Sequence, residues 1–181
     1  AHFHEAKLYT EEAFQKIIQR STHAKMLAVG EIGLDYHYNN SPQDTQVQVF
    51  KRQLEISIQV DKPVVIHSRD ADEDMLQILS DFAPKMPKKG VIHSFTSGVK
   101  LAQKAIDLGF YLGFNGIITF KNAQEVRDIV KVTPLNRILV ETDSPFLTPV
   151  PNRGKENNPS NLPYIINKLA EINRDKGVIR I

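Results

Sequence analysis

Apolar residues along the chain form two patterns that alternate. In the first, short runs are apolar throughout, which is typical of strands in a parallel sheet that is covered on both faces. Five such strands are predicted, at Met26–Gly30, Pro63–Ile66, Gly90–Ile92, Phe110–Phe114 and Arg137–Val140. In the second pattern, apolar residues recur every three or four positions, as on one face of a helix.

The helical segments lie between the predicted strands and after the last one. Ser41 and Pro42 predict the start of one helix, with Ser41 as its N-cap and Pro42 in its first turn. Gly109 is predicted to end another. Because strands and helices alternate, we predict an α/β fold of βα units around a parallel sheet, in a single domain over residues 1–181. The proline-rich segment Pro145–Pro159 is interpreted as a functional loop.

The amino-acid composition excludes several kinds of catalytic and metal site. The 181 residues include no cysteine, which excludes disulfides, thiolate nucleophiles and cysteine-based metal sites. The formal net charge is only +2, so a nucleic-acid partner has to be argued from local residues. No apolar run approaches the roughly 18 residues of a membrane span, and the start does not resemble a signal peptide. We therefore expect a cytoplasmic protein without a membrane partner.

Polar residues follow four of the five predicted strands. Glu31, His67 and His93 each close one strand, and Glu141 and Asp143 follow the last. In an α/β barrel these strand ends converge on one face, where the active site lies. Each residue alone has a commonplace interpretation, as a buried histidine or a carboxylate paired with a neighbouring cation. Their shared placement predicts a metal site, since imidazole nitrogens and carboxylate oxygens suit zinc, manganese or, with more oxygens, magnesium.

Five motifs extend this interpretation. They are GEIGLDYHYNNSP, PVVIHSRDADED, VIHSFTSG, LGFNGIITFKNA and ILVETDSPFLTPVPNRGKENNP. Together they resemble the TatD family of metal-dependent deoxyribonucleases, from the first residues to about Leu169. The resemblance implies a TIM-type (β/α)8 barrel with one or two divalent metal ions, Mg²⁺, Mn²⁺ or Zn²⁺. It also implies hydrolysis of phosphodiester bonds in DNA, with single-stranded DNA or 3′ ends as the partner.

The resemblance assigns roles by position. Glu31 matches the carboxylate shared by two metals, and His67 and His93 match ligands of one of them. Asp143 matches a ligand of the other metal, and is expected to accept the proton of the attacking water. The predicted catalytic residues are therefore Asp143 and Glu31.

Four further residues are predicted to contact substrate. His2 and His4 resemble a histidine pair that lies near the site in the family. Arg69 and Arg153 are candidates for phosphate contact, because a guanidinium group matches phosphate geometry. An ordinary surface role is an equally good interpretation of Arg69.

The chain departs from the family pattern at both ends, since the family's closing helical segment does not follow EINRDKG and its first strands have no counterpart. The family begins with a strand that carries a metal-binding His-x-His pair, and five predicted strands stand against the eight of a closed barrel. We expect the chain to supply about five βα units of a barrel truncated at its N-terminus. Two alternatives to a nuclease stay open, an amide or ester hydrolase on the same scaffold and a non-catalytic fragment.

Overall fold

The structure is a computed structural model that describes residues 3–174, and its strands form one parallel sheet. The strands are β1 (Val29–Asp35), β2 (Val64–Arg69), β3 (Gly90–Ile92), β4 (Tyr111–Phe114) and β5 (Ile138–Val140). Each strand pairs in parallel with the next along the chain, so that β1 and β5 form the edges of this sheet. The predicted α/β fold with a parallel sheet of five strands is confirmed.

Helices cover the sheet. Those of the described range are α1 (Glu11–Ser21), α2 (Gln43–Gln59), α3 (Asp72–Phe82), α4 (Val99–Asp107), α5 (Gln124–Val132) and α6 (Leu162–Asn173). The core lies between the two layers, because strand residues such as Ile66 and Leu112 share one buried cluster with helix residues such as Leu54 and Leu101. Within residues 3–174, none of the helices has the length and apolarity needed to cross a membrane.

The first two strands extend further than predicted. β1 ends at Asp35 instead of Gly30, and β2 ends at Arg69 instead of Ile66. Between Val29 and Ile32 the register with β2 shifts, as at a β-bulge. Glu31 lies in this irregular stretch, so its side chain projects from within β1 and does not follow the strand.

The predicted start of α2 is also wrong in one detail. The helix begins at Gln43, with Pro42 at the N-cap position and no side-chain cap. The hydroxyl of Ser41 donates instead to the carbonyl oxygen of His4 at 2.9 Å and accepts from the backbone N–H of Lys7 at 3.3 Å. Ser41 therefore fastens the segment that carries His4 to the start of α2.

Candidate metal centre

Three predicted ligands, Glu31 in β1, His67 in β2 and His93 directly after β3, lie side by side across the sheet. Oε1 of Glu31 lies 2.8 Å from Nε2 of His93 and 3.2 Å from Nδ1 of His67. One ligand atom from each residue can be chosen so that all three lie within 4.8 Å of one another. We call these three residues the metal triad. Because β1, β2 and β3 are neighbours in the sheet, their pairing brings the triad together.

The local backbone of β1 makes this approach possible. Gly33 pairs with His67 across the two strands and has a φ of +134°. A Cβ atom at Gly33 would overlap the carbonyl oxygen of His67. Only glycine adopts this conformation readily and leaves the room, so Gly33 allows β1 to approach the strand that carries His67.

The carboxylate and the imidazoles of the triad stabilise each other's charged forms. Burial raises the pKa of Glu31, but hydrogen bonds from His67 and His93 and the charges of their imidazoles outweigh it and hold the pKa well below its usual range. Burial lowers the pKa of His93, but its hydrogen bond to Glu31 and the charges of Glu31, Glu141 and Asp143 raise it overall. The site therefore favours positive charge between these carboxylates, which is what a divalent cation provides.

The donor set fits such a cation. Two imidazole nitrogens and one carboxylate oxygen suit zinc or manganese better than magnesium, which prefers oxygen ligands. The triad lines a pocket of about 690 Å³. It could supply three ligands to one ion. These ligand roles, like the identity and number of the ions, stay predictions.

Asp143 lies in the same pocket but is not part of the metal triad. It belongs to the segment 141–158, the β5 loop, and has a φ of +58°. Its charge contributes to the raised pKa of His93. Its predicted roles as metal ligand and proton acceptor stay predictions.

Glu141 supports the pocket from the other side of His93. Its Oε1 accepts a hydrogen bond from the backbone N–H of Ser94 and lies 3.9 Å from Nδ1 of His93. Gly113 leaves room for this carboxylate, since a Cβ atom there would lie 2.9 Å from the same oxygen. Burial raises the pKa of Glu141, whereas the charge of His93 and the hydrogen bond from Ser94 lower it. Burial is the largest of these effects, and the pKa is raised overall.

The predicted substrate residues are placed differently. His4 and Arg69 line the pocket, and the guanidinium carbon of Arg69 lies 4.9 Å from the centre of the Tyr38 ring. Arg153 is not among the described residues that line it. Its guanidinium lies over Phe120 at 3.9 Å and donates to the carbonyl oxygen of Thr148. The prediction for His2 falls outside the described residues.

Sequence reasoning left out Asp35, which is only 1% exposed. Its Oδ2 lies 3.1 Å from Nε2 of His67 and 3.4 Å from Nε2 of His4. Alternation along a strand would have indicated it, because Glu31, Gly33 and Asp35 are two residues apart and so share one face. The predicted strand ended at Gly30, too early for this signal to be used.

A parallel α/β sheet that brings together histidine and carboxylate side chains able to hold a metal is typical of one class, the metal-dependent hydrolases built on an α/β barrel. The model of the family described as TatD related DNase matches residues 1–178. The chain therefore belongs to the TatD family, as predicted.

Two relatives illustrate the similarity. The chain is 44% identical over 163 residues to the "Uncharacterized metal-dependent hydrolase YabD" of Bacillus subtilis, covering 90% of this chain and 64% of that protein. It is 38% identical over 151 residues to the human "3'-5' RNA nuclease TATDN2", covering 82% of this chain and 20% of that protein. The chain thus spans less than two thirds of the length of either relative.

A solved structure agrees in fold. YJJV, a TatD homologue from Escherichia coli, superimposes with a TM-score of 0.87 at 28% identity, covering 94% of this chain and 66% of that one. The α/β barrel assignment is therefore confirmed as the fold of the family.

Proposed function

We propose that this chain carries the catalytic face of a divalent-metal-dependent nuclease that hydrolyses phosphodiester bonds in DNA. One observation carries the proposal: a single pocket brings together the metal triad, the carboxylate of Asp143 and the guanidinium of Arg69. A phosphodiester needs positive charge on its oxygens and a base for the attacking water, and these residues provide for both.

The wall of the pocket suits a nucleotide. Arg69 presents a charged, planar donor set that matches a phosphate. Tyr38 stacks against Arg69, and Phe146, which is 69% exposed, lines the pocket beside Asp143. Exposed aromatic rings beside a cationic group are the elements on which unpaired bases stack. We therefore infer single-stranded DNA, or its 3′ ends, as the substrate.

The residues of the pocket have separate roles in the proposed reaction. A bound divalent ion supplies Lewis acidity, which polarises the phosphoryl oxygen and lowers the pKa of water. Glu31, His67 and His93 would hold that ion across β1, β2 and β3. Asp143 accepts the proton of the attacking water from its place in the β5 loop. Arg69 binds a non-bridging phosphate oxygen and orients the scissile bond.

The relatives support this assignment at two levels. Metal-dependent hydrolysis is in the name of the Bacillus subtilis relative, and nuclease activity, on RNA, is in that of the human one. Because the human protein is named for RNA, the sugar of the substrate has to be decided by experiment.

The test is nucleotide release from labelled single-stranded oligonucleotides of DNA and RNA, with Mg²⁺, Mn²⁺ or Zn²⁺ and with EDTA as the control. We expect release from DNA that needs metal and is lost in Asp143→Asn. Turnover of a simple ester or amide without release from DNA would favour the other hydrolases. No release from a folded, metal-loaded chain would contradict the proposal.

A further inference from the structure

Asp35 is the most deeply buried carboxylate of the pocket, and the roles derived so far do not use it. Burial raises its pKa, but the hydrogen bond from Tyr38 and the charge and hydrogen bond of His67 lower the pKa overall, with a smaller contribution from His4. A charged group that is 1% exposed is costly unless it is well paired. One of its partners, His67, is a member of the metal triad.

The two ring nitrogens of His67 face different carboxylates. Nδ1 lies 3.2 Å from Oε1 of Glu31, on the side of the metal triad. Nε2 lies 3.1 Å from Oδ2 of Asp35, on the side of the buried interior. A neutral imidazole carries one N–H, so the nitrogen that offers a lone pair to a metal leaves the proton on the other.

We propose that Asp35 is a positioning residue, which holds the proton of His67 on Nε2 so that the lone pair of Nδ1 is directed toward the other two members of the metal triad. A carboxylate that accepts from the outer nitrogen of a metal-binding histidine fixes both its ring orientation and its tautomer. The inference rests on the proposed metal site, and it adds a residue that acts through His67 without itself binding the metal.

Asp35 extends this role to the substrate side of the pocket. The same Oδ2 lies 3.4 Å from Nε2 of His4, and Oδ1 accepts from the backbone N–H of Tyr38 at 2.9 Å. Tyr38 in turn packs edge-on against His4 and under Arg69. One carboxylate therefore contacts His67 and two residues of the substrate wall, His4 and Tyr38, of which Tyr38 packs against Arg69.

Buried hydrogen bonds hold Asp35 in place. The side-chain oxygen of Gln46 accepts from the backbone N–H of Asp35 at 2.8 Å, and its amide donates to the carbonyl oxygens of Asp35 and Ser41. Ser41 donates to the carbonyl oxygen of His4. Gln46 and Ser41 are each no more than 1% exposed. These bonds thus fix the backbone of Asp35 and that of the His4 segment, the two elements that meet at the Asp35 carboxylate.

The experiment compares Asp35→Asn with the matched acid-to-amide control Asp72→Asn. Asp72, in the first turn of α3, accepts from the backbone N–H of Gly98 and is not among the described residues that line the pocket. Calorimetric titration with Zn²⁺ or Mn²⁺ measures metal affinity without any substrate, and circular dichroism checks that each variant is folded. We expect about a 10- to 100-fold loss of affinity in Asp35→Asn and none in the control. Unchanged affinity in a folded Asp35→Asn would overturn the proposal.

A second measurement needs no variant at Asp35, in case that variant fails to fold. The ¹⁵N NMR shifts of the zinc-loaded protein report which nitrogen of His67 carries the proton, with His67→Gln used to assign the signals. We expect the proton on Nε2, and a proton on Nδ1 would overturn the proposal. If the chain binds metal as expected but releases no nucleotide from DNA, the proposed function fails while the role of Asp35 stands.

His4→Ala separates the two sides of the pocket. Because His4 lies on the substrate wall, its loss should raise KM for the oligonucleotide and leave metal affinity unchanged. Asp35→Asn should affect both quantities. An equal loss of metal affinity in the two variants would contradict an action of Asp35 through His67.

Discussion

The strands β1 to β3 and the β5 loop both supply residues to the pocket, but they hold these residues by different means. In the first region, strand pairing brings the metal triad together. In the β5 loop, the side chain of Asn157, which is 3% exposed, donates to the carbonyl oxygens of Thr142 and Phe146. The sheet therefore sets the positions of the predicted ligands, whereas individual hydrogen bonds, among them those of the Asn157 amide, hold the segment that carries Asp143.

This difference implies that the two regions can be disrupted separately. A change in the metal triad should affect metal binding first. A change in the β5 loop should affect turnover or stability and leave the triad in place. Four predictions test this division, in order of decreasing expected effect.

The largest expected effect is that of Asp143→Asn on turnover. Removing a general base typically lowers kcat by about 10²- to 10⁴-fold. Because Asp143 is not part of the metal triad, we expect the triad to keep its metal, with affinity in calorimetric titration close to that of the unchanged chain. Full nucleotide release by a folded Asp143→Asn would contradict its assigned role.

Loss of a member of the metal triad should instead lower the metal affinity itself. In His93→Ala one of the two imidazole ligands is missing, so metal affinity should fall by at least about 100-fold, the upper range for residues that act only through a ligand. Titration with Zn²⁺ measures this fall. Arg69→Ala is the matched control within the pocket, since it removes a cation and no ligand. It should weaken oligonucleotide binding while metal affinity stays constant.

A smaller effect is expected from Asn157→Ala, which removes the donor of two part-buried hydrogen bonds, those to the carbonyl oxygens of Thr142 and Phe146. Unsatisfied buried groups of this kind cost about 1–3 kcal/mol each, and partial access of water reduces the sum, so we expect a loss of about 2 kcal/mol. Urea unfolding measures it. Asn167→Ala, at an exposed position of α6, should change stability by less than about 0.5 kcal/mol. Equal effects in the two variants would show that Asn157 does not hold the loop.

The contrast between the two regions also explains what the sequence could predict. Glu31, His67 and His93 were recognisable because each closes an apolar run, and parallel strands bring such positions together. Asp35 was missed because the predicted strand ended at Gly30. The contact of Arg153 with Phe120 could not be anticipated, since it depends on how the β5 loop packs against the segment that follows β4. Periodicity specifies the strand residues, whereas loop residues depend on individual hydrogen bonds.

The smallest expected effect is a pH dependence confined to the metal triad. In the metal-free chain the pKa of His93 is raised above its ordinary 6.5, so its contribution to stability is fully present below pH 6.5 and is lost as pH rises through the folded-state pKa. The pKa of Glu31 is lowered from 4.5, so its contribution is present above pH 4.5 and is lost as pH falls through the folded-state pKa. Both contributions are therefore fully present between about pH 4.5 and 6.5.

Urea unfolding with EDTA at pH 6 and pH 8 measures this dependence. We expect the destabilisation caused by His93→Ala to be larger at pH 6 than at pH 8, because the contribution that the variant removes is already reduced at the higher pH. The destabilisation caused by Asn157→Ala should be the same at both values, since an amide does not titrate. With zinc in place of EDTA, the destabilisation caused by His93→Ala should instead be larger at pH 8 than at pH 6, because a metal binds the neutral imidazole. If the destabilisation caused by the two variants changed equally with pH, the metal triad and the β5 loop could not be separate in the way the geometry indicates.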